Sequence, residues 1–421
     1  MRTSEELLPY LVALNITRRC NLNCGHCYMD AQQRKTPAED ELSRQETSAL
    51  FSEIAQRAPG TIVVLTGGEP LMHPGIDGMV KAGVQTGLRM VIGTNGVLLT
   101  ESRIQHLKSL GLSGVGISLD SVYAKSHDVF RGVPRSFERA CNAIRLCRKN
   151  DLHVQVHFTV MRDNYQQIEH AVALARDVGA SIINFFFLVC VGRGNHTIDL
   201  PPDLYEETLR EIAHLQEQSK GIMVQARCAP HFKRILHQRN PDSPFTRATG
   251  YDGGGCPAAT HYCRIDPRGE MTPCPYMEVS GGNIRETPFW KIWDTSVLFQ
   301  SFRNPALQGR CSECEYIALC GGCRARSLAQ SGDLMAEDPN CNYIPLGGQE
   351  IPVLAQPPGF DQEVQWTEEA WARLKKLPLF LRPVVQRNLE KRAKAEGTTI
   401  TPELMKRYRK QRENELGIKL E

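Results

Sequence analysis

The stretch "LVALNITRRCNLNCGHCY", Leu11 to Tyr28, sets an apolar run directly before three cysteines at a three-then-two spacing. A near-continuous run of this kind reads as a strand buried on both faces, as in a parallel sheet. Parallel α/β architectures gather ligands at the C-terminal ends of their strands. Cys20, Cys24 and Cys27 therefore fall where a site belongs. Three thiolates are one short of a closed four-ligand centre. They can hold a [4Fe–4S] cube with one iron left open, which a small molecule with an amine and a carboxylate could chelate. The alternative is a zinc site completed by His26. Tyr28 is either core packing or a neighbour of that ligand.

Further runs of the same type follow: "TIVVLTG", "MVIGTNG", "VGISLD", "HVQVHFTVM" and "SIINFFFLV". Amphipathic helical stretches such as "SRQETSALFSEIAQRA" and "SFERACNAIRLCRKN" separate them. Six βα units predict an α/β fold, a partial (βα)6 TIM-type barrel, with an open doubly wound sheet as the competing arrangement. The strand ends carry small polar loops: "TGGEP" (66–70), "GTNG" (93–96) and "SLDS" (118–121). Paired glycines let backbone approach a ligand closely, and Glu69 can accept hydrogen bonds from an ammonium group. Taken alone, Gly-Gly-Glu-Pro is also a turn.

The chain has 421 residues, 41% hydrophobic and 23% charged, with a net charge of +3. That length predicts two or three domains. The charge balance gives no reason to expect nucleic acid as a partner. No apolar run reaches membrane-spanning length, and "MRTSEELLPY" lacks the apolar core of a secretory signal. Fifteen cysteines in such a chain point to metal in a reducing cytoplasm more than to disulfides.

Residues 1–225 read as the barrel. From 226 to 345 the chain turns rich in Gly, Pro and Cys, and a segment like this gains order from metal clusters. "CPAATHYCRIDPRGEMTPC" and "CSECEYIALCGGCRARSLAQSGDLMAEDPNC" supply eight cysteines, with a zinc ribbon as the plain alternative. Residues 346–364 read as a linker. Residues 365–421 read as a small all-α domain, with helix starts at Thr367 and at Thr401–Pro402. Cys141, Cys147, Cys190 and Cys228 receive no role, because buried free cysteine is common.

The CxxxCxxC loop with its following aromatic, and the GGEP at the second strand's end, resemble the radical S-adenosylmethionine (SAM) superfamily over roughly residues 10–220. The resemblance implies that Cys20, Cys24 and Cys27 hold a [4Fe–4S] cluster whose open iron is chelated by SAM. Tyr28 would border the adenine, and Gly67, Gly68 and Glu69 would receive the amine. Thr94, Asn95, Ser118 and Asp120 would contact ribose and carboxylate, and Arg131 would pair with the carboxylate. The eight later cysteines resemble the SPASM extension, with one or two auxiliary [4Fe–4S] clusters. Cys256, Cys263, Cys274 and Cys323 would bind one, and Cys311, Cys314, Cys320 and Cys341 the other. Cys263 sits later than the family pattern places it; without it the first auxiliary cluster keeps an open site.

Strings such as "GTNGVLLT", "FFFLVCVGRG" and "RIDPRGEMTPCPYM" resemble the haem and haem d1 biosynthesis branch. The tail resembles the small C-terminal domain of light-independent protochlorophyllide reductase; a generic basic helical appendage is the other reading. The implied partners are a tetrapyrrole substrate and a reductant such as flavodoxin or ferredoxin. Propionate groups favour arginine, so Arg193, Arg264, Arg324 and Arg326 are substrate candidates, and His157, His231 and His261 are proton or iron candidates. A peptide-modifying enzyme and a non-catalytic electron carrier are the rival functions. The peptide reading expects a leader-binding module before the first strand, where this sequence shows none.

Overall fold

Leu11–Thr17 forms strand β1 near the middle of a ten-stranded sheet in the computed structural model, which describes residues 7–31, 38, 40–196, 198–243, 246, 255–352, 364–377 and 382–416. The strand is buried along nearly its whole length, as its unbroken apolar run requires. β2 (Ile62–Gly67), β3 (Arg89–Thr94), β4 (Gly114–Ser118), β5 (His153–Val160) and β6 (Ile182–Phe187) follow in sequence order. Each pairs in parallel with the next. A sheet that never reverses its order is not doubly wound. The arrangement is the partial barrel expected.

The helices between the strands close over the outer face of the sheet. Arg44–Arg57 starts at Ser43 with a capping box: the Ser43 N–H donates to Glu46 Oε2 at 2.7 Å, and the Glu46 N–H donates to Ser43 Oγ at 3.2 Å. Its buried residues, Thr47, Leu50, Phe51 and Ile54, recur at helical spacing, and the last three share one core with Val12, Leu14 and Val63 of the strands.

Two strands extend the barrel beyond the six units. β7 (Met223–Arg227) lies parallel beside β6, and β8 (Tyr262–Ile265) lies parallel on the free side of β1. β9 (Glu270–Thr272) and β10 (Gly282–Asn283) continue β8 antiparallel. Among the described residues β7 and β10 are the sheet's two edges, so the barrel stays open. The cysteine-rich segment is thereby stitched into the barrel sheet.

The expected helices of the tail are present as Glu368–Lys376, capped by Thr367, and Pro402–Leu416, where Thr401 Oγ1 accepts from the Leu404 N–H at 3.2 Å. With Arg382–Glu396 they enclose a separate small core of Ala370, Leu389, Ala393, Ile400, Leu404 and Tyr408. Of the linker stretch "IPLGGQEIPVLAQPPGF", residues 353–360 lie outside the described residues. No helix among the described residues is long and apolar enough to cross a membrane.

Candidate metal centres

The loop carrying Cys20, Cys24 and Cys27 leaves the C-terminal end of β1 and is held from three sides. The Asn23 and Gly25 amides donate to the carbonyls of Arg131 and Phe130 at 3.0 and 3.1 Å. From the loop after β6, Arg193 Nε donates to the Cys24 carbonyl at 2.9 Å, and the Arg193 N–H donates to the Cys27 carbonyl at 3.0 Å. Each thiol has its own donor. The Leu22 N–H addresses Cys20 Sγ at 3.4 Å, Arg131 Nη1 addresses Cys24 Sγ at 3.4 Å, and the Ala31 N–H addresses Cys27 Sγ at 3.3 Å. Burial pushes the Cys20 thiol up to about 12; the Leu22 amide opposes this, while Glu69, Cys24 and Cys27 add to it. Three thiols of one loop, each met by an N–H donor, fit the thiolates of a bound cluster, whose sulfurs are tuned by such hydrogen bonds. His26 packs on Phe130 with ring centres 4.9 Å apart and sets Nε2 4.0 Å from Asp120 Oδ2.

The GGEP loop is welded to this one. The Gly68 and Glu69 amides donate to the carbonyls of Thr17 and Arg19, both at 2.7 Å. A Cβ on Gly67 (φ +131°) would lie 2.4 Å from the Thr17 oxygen, and one on Gly68 2.1 Å from the Arg19 oxygen. The close approach that requires glycine is therefore made to the chain's own backbone. Gly68→Ala is expected to destabilise the protein by about 1–3 kcal/mol, because no side chain can yield; an unchanged thermal midpoint would contradict this.

Glu69 is fully buried. Its Oε1 accepts from Thr94 Oγ1 at 2.7 Å and the Leu71 N–H at 3.0 Å, and its Oε2 accepts from the Asn95 N–H at 2.9 Å. Burial raises its carboxyl to about 7 against these three donors. Asn95 Nδ2 donates to Asn21 Oδ1 at 2.7 Å, closing the β3 end onto the cysteine loop.

Asp120, past the end of β4, forms an ion pair with Arg131 and accepts from the Thr159 N–H at 3.0 Å. Burial alone would raise its carboxyl, but Arg131 first and then His26 hold it below the usual range. Arg131 is thus a buried cation shared by Asp120 and the Cys24 sulfur. Ser118 ends β4 half-buried. Tyr28 accepts from Asn15 Nδ2 at 2.9 Å and meets Tyr276 edge-on at 5.5 Å. Asn15 was not singled out from sequence, although a buried amide inside an apolar strand is a signal that could have found it.

The later cysteines show a repeated local device. The amide two residues on hydrogen-bonds the sulfur at Cys256 (Ala258), Cys274 (Tyr276), Cys314 (Tyr316), Cys320 (Gly322) and Cys341 (Tyr343), and Arg326 does so three residues after Cys323. Cys311, Cys314, Cys320 and Cys341 line one cavity, closed by Arg310 and Tyr343. Cys274 and Cys323 pack in a second buried cluster, and burial first, then Cys256 and Cys323, raise the Cys274 thiol well above its usual range. Cys263 is not brought to this group. It is fully buried in the barrel core, opposite Val12 of β1. Cys228 Sγ lies 3.8 Å from the hydroxyl of Tyr276, two residues past Cys274. Cys141 and Cys147 sit in the barrel core, as expected.

The basic candidates divide. Arg326 is buried with Asp338, and Arg324 donates to the carbonyls of Leu334 and Ala336 at 3.0 and 2.6 Å. His231 Nε2 lies 3.1 Å from Asp338 Oδ2, and His261 Nδ1 lies 3.2 Å from the Leu8 carbonyl. His157 faces Phe186 at 5.0 Å, and burial lowers its ring to about 4. Arg264 Nε donates to the neutral amide oxygen of Asn15 at 3.3 Å, and the structure records no ion pair for it among the described residues.

Comparison with known proteins yields three family matches. The radical SAM superfamily matches residues 14–175, an iron–sulfur cluster-binding (SPASM) domain matches 256–315, and the proto-chlorophyllide reductase 57 kD subunit matches 366–409. A protein of Methanosarcina barkeri named AdoMet-dependent heme synthase is 38% identical over 343 residues, 80% of this chain and 97% of that protein. A second protein of that organism, named Fe-coproporphyrin III synthase, is 30% identical over 81% of this chain and 89% of its own length. Among solved structures, Streptococcus suis SuiB bound to S-adenosylmethionine superposes with a TM-score of 0.64 at 17% identity, covering 80% of this chain and 78% of that one. At that identity the likeness concerns the fold.

Proposed function

Because the chain belongs to the radical SAM superfamily, we propose that it modifies a tetrapyrrole side chain in haem biosynthesis, by decarboxylating or removing a propionate. The observation that carries this reading is the 38% match along 97% of a protein named as a heme synthase. Cys20, Cys24 and Cys27 hold the primary [4Fe–4S] cluster. Tyr28, Gly67, Gly68, Glu69, Thr94, Asn95, Ser118, Asp120 and Arg131 border SAM. Cys311, Cys314, Cys320 and Cys341 hold one auxiliary cluster, and Cys256, Cys274 and Cys323 belong to the other. When bound, the primary cluster and SAM would supply a hydrogen-abstracting 5′-deoxyadenosyl radical, and an auxiliary cluster would accept the one electron left when carbon dioxide departs and a vinyl group forms. The chain's own residues bind and orient: Glu69 presents an oxygen to the SAM ammonium, Arg131 offsets thiolate charge at Cys24, and Arg264 offers a guanidinium to a substrate carboxylate.

The domain division at 225, 345 and 364, the cytoplasmic location and a flavodoxin- or ferredoxin-type reductant complete the reading. The test is anaerobic reconstitution followed by SAM, dithionite and Fe-coproporphyrin III, with porphyrin mass and 5′-deoxyadenosine followed together. Loss of carboxyl groups matched by 5′-deoxyadenosine is expected. Deoxyadenosine with an unchanged porphyrin defeats the substrate assignment and leaves SAM cleavage standing.

Glu69 also sets a pH dependence. Its carboxyl, raised to about 7, is largely neutral below that pH, and a neutral carboxyl receives an ammonium poorly. The Kd for SAM should therefore rise as pH falls below about 7, by up to about tenfold per unit. Glu69→Gln should weaken binding and flatten the profile; a profile as steep as the parent's would remove Glu69 from the amine site.

A further inference from the structure

We propose that Cys228 is the fourth thiolate of the first auxiliary cluster, with Cys256, Cys274 and Cys323, and that Cys263 is a core residue of the barrel. The inference rests on the reading above that the segment binds clusters.

Cys228 follows the last residue of β7 and holds φ at +56°, a left-handed conformation uncommon for a side chain of this kind. An uncommon backbone state persists only where its surroundings hold it in place. Here both ends of the residue are held by the turns that carry the other thiols. Its Sγ lies 3.8 Å from the Tyr276 hydroxyl, and Tyr276 is the residue whose amide addresses Cys274. Its carbonyl accepts from Arg326 Nη2 at 3.3 Å, and Arg326 is the residue whose amide addresses Cys323. The neighbours of Cys228 converge: Tyr276, whose hydroxyl its Sγ reaches, packs in one buried cluster with Cys274 and Cys323.

Cys263 has none of these relations. In β8 alternate residues face opposite sides. Tyr262 and Cys263 therefore face opposite sides, and Cys263 lies in the barrel core, paired in register with Val12. Its charged neighbour is Arg303, and the structure records no amide on its sulfur among the described residues. A parity of one residue separates the two roles. A cluster ligated by four thiolates has no open iron, so the first auxiliary cluster serves electron transfer and does not bind substrate through iron.

The test uses the full chain, reconstituted without oxygen, as parent, Cys228→Ser and Cys263→Ser. Iron per chain and the electron paramagnetic resonance spectrum of the dithionite-reduced protein are measured. Cys228→Ser is expected to lose about four irons or to shift the auxiliary signal, while Cys263→Ser keeps the parental iron and spectrum. The reverse pattern, or a parental spectrum from Cys228→Ser, overturns the assignment. A second measurement needs no variant: in the parent chain, cluster loading should slow iodoacetamide labelling of Cys228 at least about tenfold relative to the iron-free chain. Equal labelling overturns the assignment even if the serine variant misfolds. A parent chain that takes up iron only at the primary site overturns the auxiliary-cluster reading as well, and is told apart by its iron count.

Discussion

Cys20→Ala is expected to reduce 5′-deoxyadenosine formation from SAM to background, a loss of at least about three orders of magnitude, equivalent to about 4 kcal/mol of barrier. Three ligands are the minimum that leaves one iron open while the other three are anchored, so removing one leaves no arrangement that both retains the cluster and admits SAM. Among the described residues, His26, the other metal-ligand type in the loop, is turned to Phe130 and Asp120. Cys20 is 8% exposed, its sulfur is met by the Leu22 amide, and Glu69 beyond it is engaged by Thr94, Leu71 and Asn95. Cys141→Ala is the control, since that thiol lies in the barrel core and touches none of this. Deoxyadenosine, iron and sulfide are measured on both after identical anaerobic reconstitution. Cleavage retained by the Cys20 variant at parental iron content would remove the CxxxCxxC loop from the reaction.

What could be read from the chain follows burial. β1, β4 and β6 announce themselves because most of their residues are buried, whereas β2, β3 and β5 alternate buried with half-buried residues and show as β-branched and apolar runs of strand length. β7 and β8 do not. "MVQAR" and "YCRI" are short and mixed, and their strand character comes from pairing with β6 and β1. Spacing identified the cysteine sets because turns that hold iron bring near neighbours together. It could not say which side of a strand Cys263 faces, or that Cys228, far away in sequence, closes the group. GGEP was read as an approach to a ligand, and the closest backbone approach is to Thr17 and Arg19. Arg326 and His231 looked like substrate residues because chemistry can be read from a residue's type while its buried partner cannot.

That partner is Asp338, and its charge is the second large effect. Asp338→Asn is expected to cost about 3–5 kcal/mol, because it leaves the Arg326 guanidinium buried without its counter-charge. Asp338 is fully buried; its carboxylate accepts from the Cys323 N–H at 2.7 Å, from Arg326 Nε at 2.9 Å and from the Asn340 N–H at 3.1 Å. Burial alone would raise its carboxyl, but Arg326 first and then His231 hold it well below the usual range. Arg326 in turn donates to the Tyr205 hydroxyl at 2.8 Å, on the helix Pro202–Gln218, and to the carbonyls of Leu188 and Cys228, both at 3.3 Å. One ion pair thus fastens the cysteine-rich segment to the helix after β6 and to the ends of β6 and β7. Its loss should lower the thermal midpoint by about 10 °C and release auxiliary iron before primary iron. The pairing is testable apart from bulk stability: Arg326→Met alone frees Asp338, whereas Arg326→Met with Asp338→Leu removes both charges and should recover part of the loss. Additive losses in the double variant would show that the two side chains act separately.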